Sequence, residues 1–238
     1  MNQIYKYNLS IVIVVKNNYA GLLKTIDSIT ALNSDLIQIV IVDGRSIDGG
    51  VEWLMNVKLK NTIVISGYDS GIYDAMNKAK KFIHGDYVLY LNSGDWLSGV
   101  FLEIHQASLL RVNIIGEHGV HNDFIKLFGY GYNHQGVIFK SNHGAYDCRY
   151  HLAADLNLII STYRNSLKNL PIIKGLQAHY RLDGVSSQKS FKKNIELCAV
   201  FWNCKKYFHA LILLFYLPLK DLVPYKIKYQ YAKKFKYE

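Results

Sequence analysis

The sequence predicts an α/β protein with a doubly wound, mainly parallel sheet flanked by helices. Short apolar runs rich in β-branched residues recur in the first part of the chain, which is typical of strands buried on both faces. Segments with helical spacing of apolar residues separate these runs, and polar residues or glycine follow them directly. A chain of 238 residues, half of them hydrophobic, is long enough for one sizeable core.

The predicted elements alternate along the chain. The apolar runs predict strands at 9–15, 37–42, 61–66 and 87–91, and the intervening segments predict helices at 22–29, 48–55 and 74–83. Farther along, we predict a helix at 101–111, short strands and loops at 116–139, a helix within 147–163 and a strand at 172–180. The first half therefore predicts βαβ units with right-handed crossovers.

The net charge of +10 is concentrated near the C-terminus. Residues 189–238 hold eleven lysines against three acidic side chains, so they carry eight of the ten net charges. We therefore predict a domain of residues 1–188 and a basic, helical tail of residues 189–238. The apolar run 210–219 is too short to cross about 30 Å of hydrocarbon.

Two interpretations of this tail stay open. With its flanking lysines and tyrosines, the run fits an interfacial helix on an anionic membrane surface. Alternatively, it packs on the domain or on a second subunit. We expect no nucleic-acid partner, because no nucleic-acid-binding motif accompanies the lysines.

The cysteines and the first apolar run indicate the cytoplasm. Cys148, Cys198 and Cys204 have neither the even number nor the spacing of a disulfide or zinc framework. The run at 9–15 is too short for a signal peptide and fits a buried strand. We expect a cytoplasmic protein, peripheral on the inner face of the cell membrane.

The most informative stretch is residues 66–95. The run 87–91 ends in Asn92-Ser93-Gly94-Asp95, at the strand end where open α/β sheets bind their ligands. Asp95 is therefore a candidate ligand for Mg²⁺ or Mn²⁺, hard cations that also take phosphate oxygens and water. The alternative is an ordinary turn, which these residue types favour.

Asp43 ends the second apolar run and precedes Gly44, Arg45 and a glycine pair at 49–50. Glycines let the backbone pass close to a ligand, and a carboxylate here can accept hydrogen bonds from a base or a ribose. The alternative is an aspartate that caps a turn.

These segments together resemble glycosyltransferase family 2. The resemblance extends from about residue 10 to about residue 187. It rests mainly on VDGRSIDG at 42–49, GIYDAMNK at 71–78 and NSGD at 92–95, a variant of the DXD motif, and further on HQGVIF at 134–139 and YHLAADL at 150–156. It is closest to bacterial members that build O-antigen, capsule or colanic-acid units. It implies the GT-A fold, a Rossmann-like sheet, and an inverting, metal-dependent glycosyltransferase of the hexosyltransferase type. The donor would be a nucleotide-diphosphate sugar and the acceptor a saccharide on a lipid carrier.

The resemblance also implies roles for single residues. Asp155 would be the base that takes the proton of the acceptor hydroxyl, and Asp95 would hold the metal and the diphosphate. The donor-binding group would be Asn17, Asp43, Asp69, Asp74, Asn77, Lys78, Asn92, His134 and Gln135. His179 would reach the diphosphate or the metal from the C-terminal side. Structural alternatives stay open for Asp74 and Asp155, which also suit the start of a helix, and for both histidines.

Three positions depart from the family pattern. Gly67 stands where a glutamate is common, Arg45 replaces a small residue, and Asn92 stands where many relatives have the first aspartate of DXD. Gly67 and Asn92 motivate an alternative, a membrane-associated nucleotide-sugar-binding module without transfer activity. A sugar-1-phosphate nucleotidyltransferase is a further alternative, but it needs a glycine-rich basic loop after the first strand, which Lys16 and Asn17 do not provide.

Overall fold

The computed structural model describes residues 7–115, 133–163, 167–181 and 191–219. Within these ranges one eight-stranded sheet has the order β3-β2-β1-β4-β7-β6-β8-β5. Its strands are β1 (Tyr7–Val15), β2 (Ile37–Asp43), β3 (Thr62–Ser66), β4 (Gly85–Asn92), β5 (Trp96–Gly99), β6 (Ser108–Ile115), β7 (Val137–Lys140) and β8 (Ile172–Arg181).

Helices cover both faces of this sheet. They are α1 (Tyr19–Thr30), α2 (Gly50–Asn56), α3 (Ile72–Ala79), α4 (Ala154–Thr162), α5 (Phe191–Asn203) and α6 (Tyr207–Leu219). Short 3-10 turns occur at Lys80–Phe82, His134–Gly136 and Leu167–Asn169. The first of these explains why the helix predicted at 74–83 ends early, at Ala79.

The four strands β3, β2, β1 and β4 are parallel, which confirms the predicted α/β architecture. Ile11 and Ile39, on neighbouring strands, pack in one core with α1, whereas Val12 and Val40 pack in a second core with α3 and α4. Because both faces of these strands are buried, the strands have no polar alternation, and their apolar runs are continuous.

Polar residues end the parallel strands at one edge of the sheet. Asp43 pairs with Val15 on one side and Ser66 on the other, while Asn92 pairs with Val14. The loops after β1, β2, β3 and β4 therefore meet at this carboxyl edge, which is the expected ligand side of such a sheet.

The prediction of a helix at 101–111 is wrong. Residues 108–115 form β6, which pairs with β7 through Leu109 and with β8 through Val112. Leu109 and Leu110 are buried in different cores on opposite sides of the sheet, an arrangement that only a strand permits. The predicted strand at 172–180 is confirmed as β8, and the predicted helix within 147–163 begins only at Ala154. The predictions for 116–132 lie outside the described residues.

The first helix of the predicted tail packs on the domain. Leu197, Val200 and Phe201 of α5 are buried in the same core as Tyr150 and Ala153. In turn, α6 follows α5 directly and contributes Ala210 and Leu213 to this core. No described helix is long and apolar enough to cross a membrane. Residues 220–238 lie outside the described part, and the boundary at residue 188 stays a prediction.

Candidate active site

The NSGD loop is held against the start of α1. Thr25 donates from Oγ1 to the Asp95 carbonyl at 2.6 Å, and its hydroxyl accepts from the Gly94 amide at 3.0 Å. Asn18, the N-cap of α1, donates from Nδ2 to the Ser93 carbonyl at 2.9 Å, and the Ser93 hydroxyl donates back to the Asn18 carbonyl at 3.0 Å. The sequence interpretation missed Asn18 and Thr25, although an Asn just after a strand is a recognisable N-cap signal.

The Asp95 carboxylate contacts the side chain of Gln135, and Asn92 lies three residues earlier at the end of β4. Asp95 is only 4% exposed, and Gln135 donates from Nε2 to its Oδ2 at 3.3 Å. The Oε1 atom of Gln135 and the Oδ1 atom of Asn92 are buried, with no hydrogen-bond partner among the described residues. Unpaired buried oxygens are costly, so their presence on Gln135, which contacts Asp95, and on Asn92 in the same NSGD segment is a reason to expect a ligand here.

These oxygens fit a divalent cation that the donor helps to bind. The described residues contain no group of three or more His, Cys, Asp or Glu side chains that could hold a metal alone. One carboxylate with neighbouring amide oxygens instead matches a Mg²⁺-type site, in which phosphate oxygens and water fill most positions. Asp95, Asn92 and Gln135 are therefore the residues that could hold such a cation.

His134 lies beside Asp155. Its Nδ1 is 3.8 Å from Oδ2 of Asp155, whose side chain is 32% exposed. Burial lowers the pKa of His134 below its ordinary value, and the nearby Asp155 charge only partly opposes this. The imidazole is therefore neutral at pH 7, so His134 forms no ion pair with Asp155. The 3-10 turn thus places consecutive residues, His134 and Gln135, beside Asp155 and Asp95.

Buried tyrosines surround the Asp155 side of the site. Tyr73 of the GIYDAMNK segment stacks on Tyr146 at 5.4 Å, and Tyr146 meets the edge of Tyr90 at 5.3 Å. Burial raises the pKa of Tyr73 well above its ordinary value, and the negative charge of Asp155 raises it further. Both effects keep the phenol protonated. The sequence interpretation assigned no role to Tyr73, although it quoted the segment that contains it.

The start of α4, which carries Asp155, is capped from the tail. Ala153 is the N-cap residue of α4 and offers no side-chain acceptor. Glu196 of α5 supplies the missing acceptor. Its Oε2 accepts from the amides of Leu152 at 2.7 Å and Ala153 at 3.1 Å. Such amides have no partner inside their own helix, so Glu196 satisfies groups that would otherwise be orphaned. Sequence reasoning missed Glu196 because no local pattern links it to residues more than forty positions away.

Asn77 holds the segment that leads to α4. Its Oδ1 accepts from the Tyr146 amide at 2.8 Å, and its Nδ2 donates to the Tyr146 carbonyl at 2.9 Å. Both polar ends of the side chain are therefore used inside the protein. The contacts give Asn77 a positioning role, and its predicted part in donor binding stays a prediction.

Asp43 and Asn17 organise the loop after β2. Asp43 is fully buried and accepts from the Ser46 amide at 3.1 Å and the Ser66 hydroxyl at 2.7 Å. Asn17 accepts through Oδ1 from the Ile47 amide at 2.9 Å. These contacts are those of the turn-capping alternative, and the predicted hydrogen bonds of Asp43 and Asn17 to a donor stay predictions.

Asp69 lies next to this loop. An oxygen of Asp69 would be only 2.5 Å from a Cβ placed on Gly44, so a larger residue there would have to displace the Asp69 side chain. Asp74 accepts from the Ser70 amide at 2.9 Å and pairs with Lys78 at 2.8 Å. The hydrogen bond from Lys78 lowers the pKa of Asp74. Asp69, Asp74 and Lys78 are thus brought to the carboxyl edge, with no ligand contact to test their predicted roles.

His179 is joined to the residue that follows Asp95. Its ring stacks on Trp96 at 4.9 Å with the planes 4° apart, and its Nε2 is 2.7 Å from the Ser98 hydroxyl. Burial lowers the pKa of His179, and the charge of Lys24 lowers it further. Its Nδ1 is buried without a hydrogen-bond partner among the described residues. A neutral histidine therefore stacks on the residue that directly follows Asp95 in the chain.

The comparisons with known proteins agree with this fold. The TarS protein of S. aureus, residues 1–349 with UDP-GlcNAc, superposes with a TM-score of 0.64 at 15% identity over 87% of this chain and 70% of that one. The mannosyltransferase PcManGT of Pyrobaculum calidifontis, with GDP-Man and Mn²⁺, has a TM-score of 0.61 at 13% identity, covering 88% and 70%. At these identities the likeness shows the fold alone, and it confirms the predicted GT-A fold.

Sequence comparison identifies the family. A PGL/p-HBAD biosynthesis glycosyltransferase of Mycobacterium tuberculosis is 28% identical over an alignment of 186 positions that covers 66% of this chain and 70% of that protein. The predicted O-antigen or capsule subtype is not confirmed, because this relative is named for a different product. The sequence profile described as "Glycosyl transferase family 2" matches residues 10–166, which include Asp43, Asp95 and Asp155. The chain is a glycosyltransferase and belongs to glycosyl transferase family 2.

Proposed function

We propose that this glycosyltransferase moves a sugar, with inversion, from a nucleotide-diphosphate donor to a saccharide on a lipid carrier, in a metal-dependent reaction of bacterial surface polysaccharide synthesis. The reaction would take place at the inner face of the cell membrane. The observation that carries the proposal is the 3-10 turn that places His134 at Asp155 and Gln135 at Asp95. It joins a candidate base to a candidate diphosphate site.

The donor would lie along the carboxyl edge of the sheet. The loops held by Asp43 and Asp69 would bind the nucleoside, and Asp95 with the amide oxygens of Asn92 and Gln135 would bind the diphosphate through Mg²⁺ or Mn²⁺. When bound, such a cation supplies Lewis-acid stabilisation of the leaving diphosphate. The nucleotide sugars in the TarS and PcManGT structures, and the Mn²⁺ in the latter, support this assignment.

Asp155 would act on the acceptor. Its carboxylate would take the proton of the acceptor hydroxyl as that oxygen attacks the anomeric carbon, on the side opposite the diphosphate. His134 is neutral, so it does not hold the carboxylate in an ion pair. The stacked Tyr73 and Tyr146 make this side of the site apolar, which limits competition from water.

Calorimetric titration of UDP, GDP, dTDP and CDP, with and without Mn²⁺, tests the donor site. We expect one nucleotide to bind in a metal-dependent way to the wild type and to Asp155→Asn, and weakly to Asp95→Asn. Asp155→Asn should then lose sugar transfer while keeping the affinity for the nucleotide. A nucleotide affinity that changes neither with Mn²⁺ nor with the Asp95 substitution would contradict the site assignment.

Turnover separates this proposal from the binding-module alternative. Asn92 and Gly67, two of the three departures from the family pattern, are what favour a module without activity. Release of the nucleoside diphosphate from a donor sugar, dependent on Asp155, would exclude that alternative. Nucleotide binding without any turnover across donors and acceptors would support it.

A further inference from the structure

An exposed apolar stripe runs along α6 and the end of α5. Tyr207, Phe208, Leu211 and Leu214 share one face of α6 because of their helical spacing, and each is between 47% and 70% exposed. Trp202 of α5 extends this face, since its ring meets the Tyr207 ring at 4.9 Å. These five residues are called the α6 stripe below.

The α6 stripe is separate from the surface that packs these helices on the protein. Ala210 and Leu213 of α6 are buried, as are Val200 and Phe201 of α5, and all four belong to the domain core. The stripe is what remains exposed once this packing is complete. Contiguous exposed apolar residues of this size and number mark an interaction surface.

The charge of the turn before α6 and of the sequence that follows α6 indicates the partner of the stripe. Lys205 is exposed in the turn between α5 and α6, and the sequence of 220–238 adds six lysines against Asp221 and Glu238. Hydrocarbon beneath anionic headgroups complements both features, the apolar stripe and the positive charge. Tyr and Trp are favoured at such interfaces. A second copy of this chain would bring the same positive charge and be repelled.

We propose that the α6 stripe docks on an anionic lipid bilayer and sets the orientation of the active site above it. The link to the site is α5, because Glu196 accepts from the amides of Leu152 and Ala153 just before the helix of Asp155. A bilayer-bound α6 would thereby hold Asp155 in a fixed relation to the membrane. The value of this orientation for catalysis rests on the proposed function, in which the acceptor is lipid-linked.

Co-sedimentation of the full chain with vesicles tests the docking. Vesicles of phosphatidylcholine alone are compared with vesicles of equal parts phosphatidylcholine and phosphatidylglycerol. We expect the wild type to sediment with the anionic vesicles and only weakly with the neutral ones. The double variant Phe208→Gln/Leu214→Gln keeps good helix formers and should weaken partitioning by about tenfold for each residue.

Leu102→Gln is the matched control, because Leu102 is 59% exposed and Leu214 is 58% exposed, while Leu102 lies on the catalytic domain. It should sediment like the wild type. Lys205→Glu, which leaves the stripe intact, should weaken binding to the anionic vesicles by at least about fivefold.

Three outcomes would overturn the proposal: equal sedimentation with both kinds of vesicle, unchanged sedimentation of the double variant, or a dimer in the absence of vesicles that the double variant abolishes. The last would assign the stripe to a second copy. Nucleotide titration of the same proteins tests the proposed donor site independently of the docking surface. Vesicle binding without nucleotide binding would reject the proposed donor site and leave the docking surface supported.

Discussion

Replacement of Glu196 by alanine should reduce both stability and sugar transfer, although Glu196 lies outside residues 10–166, which match the family. The carboxylate accepts from the amides of Leu152 and Ala153 at 2.7 and 3.1 Å and is 8% exposed. A buried amide that loses its partner costs about 1–3 kcal/mol. Because the Leu152 amide is only partly buried, water can replace its bond, and we expect a total loss of about 3 kcal/mol in the free energy of unfolding.

Urea unfolding measures this loss, and a shift in Tm of about 6–12 °C should accompany it in a protein of this size. We also expect kcat for sugar transfer to fall, because Asp155 is the second residue of the helix that Glu196 caps. The affinity for the nucleotide should stay the same, since the two hydrogen bonds of Glu196 go to the residues just before α4. Glu196→Gln keeps one acceptor oxygen and should restore much of both stability and kcat.

The control is Glu52→Ala, because Glu52 is an exposed acidic residue in the first turn of α2. It should change the free energy of unfolding by less than about 0.5 kcal/mol. If Glu196→Ala matched this control in both stability and kcat, the capping argument would be refuted. If it lost stability but kept kcat, Glu196 would be structural only and would not position Asp155.

Three further predictions concern other parts of the protein. Gln135→Met removes a donor to the metal-site carboxylate, so metal-dependent nucleotide affinity should fall by about 1–1.5 kcal/mol in a calorimetric titration, with metal-free affinity unchanged. Burial lowers the pKa of His143 from 6.5 to about 4, so the unfolded chain takes up a proton there before the folded protein does as the pH falls. Between pH 6.5 and pH 4 the wild type should lose about 3 kcal/mol more in urea unfolding than His143→Gln; equal losses would show that His143 is not responsible. Gly44→Ala should displace Asp69 and weaken nucleotide binding by about 1–2 kcal/mol, whereas Gly67→Ala, with nothing within 4 Å of the added Cβ, should leave it unchanged.

The sequence by itself determined the parallel half of the fold and the edge at which the site lies. The strands β1, β2 and β4 are buried on both faces, so their apolar runs are continuous and easy to recognise. Asp43 and Asn92 end such runs, and parallel strands bring their carboxyl ends to one edge. These features follow from local composition and from a general rule of sheet topology, so no long-range contact had to be known.

Only the tertiary structure decided the rest of the site. Residues 108–115 form a strand because β7 and β8 offer hydrogen-bonding partners on both sides, although the local pattern of 101–111 favoured a helix. Gln135 meets Asp95 across forty positions, and Glu196 meets Ala153 across forty-three. Such contacts depend on how distant segments pack, and a single sequence has no periodic signal for them. The sequence therefore located the candidate carboxylates, whereas the packing decided which side chains surround and hold them.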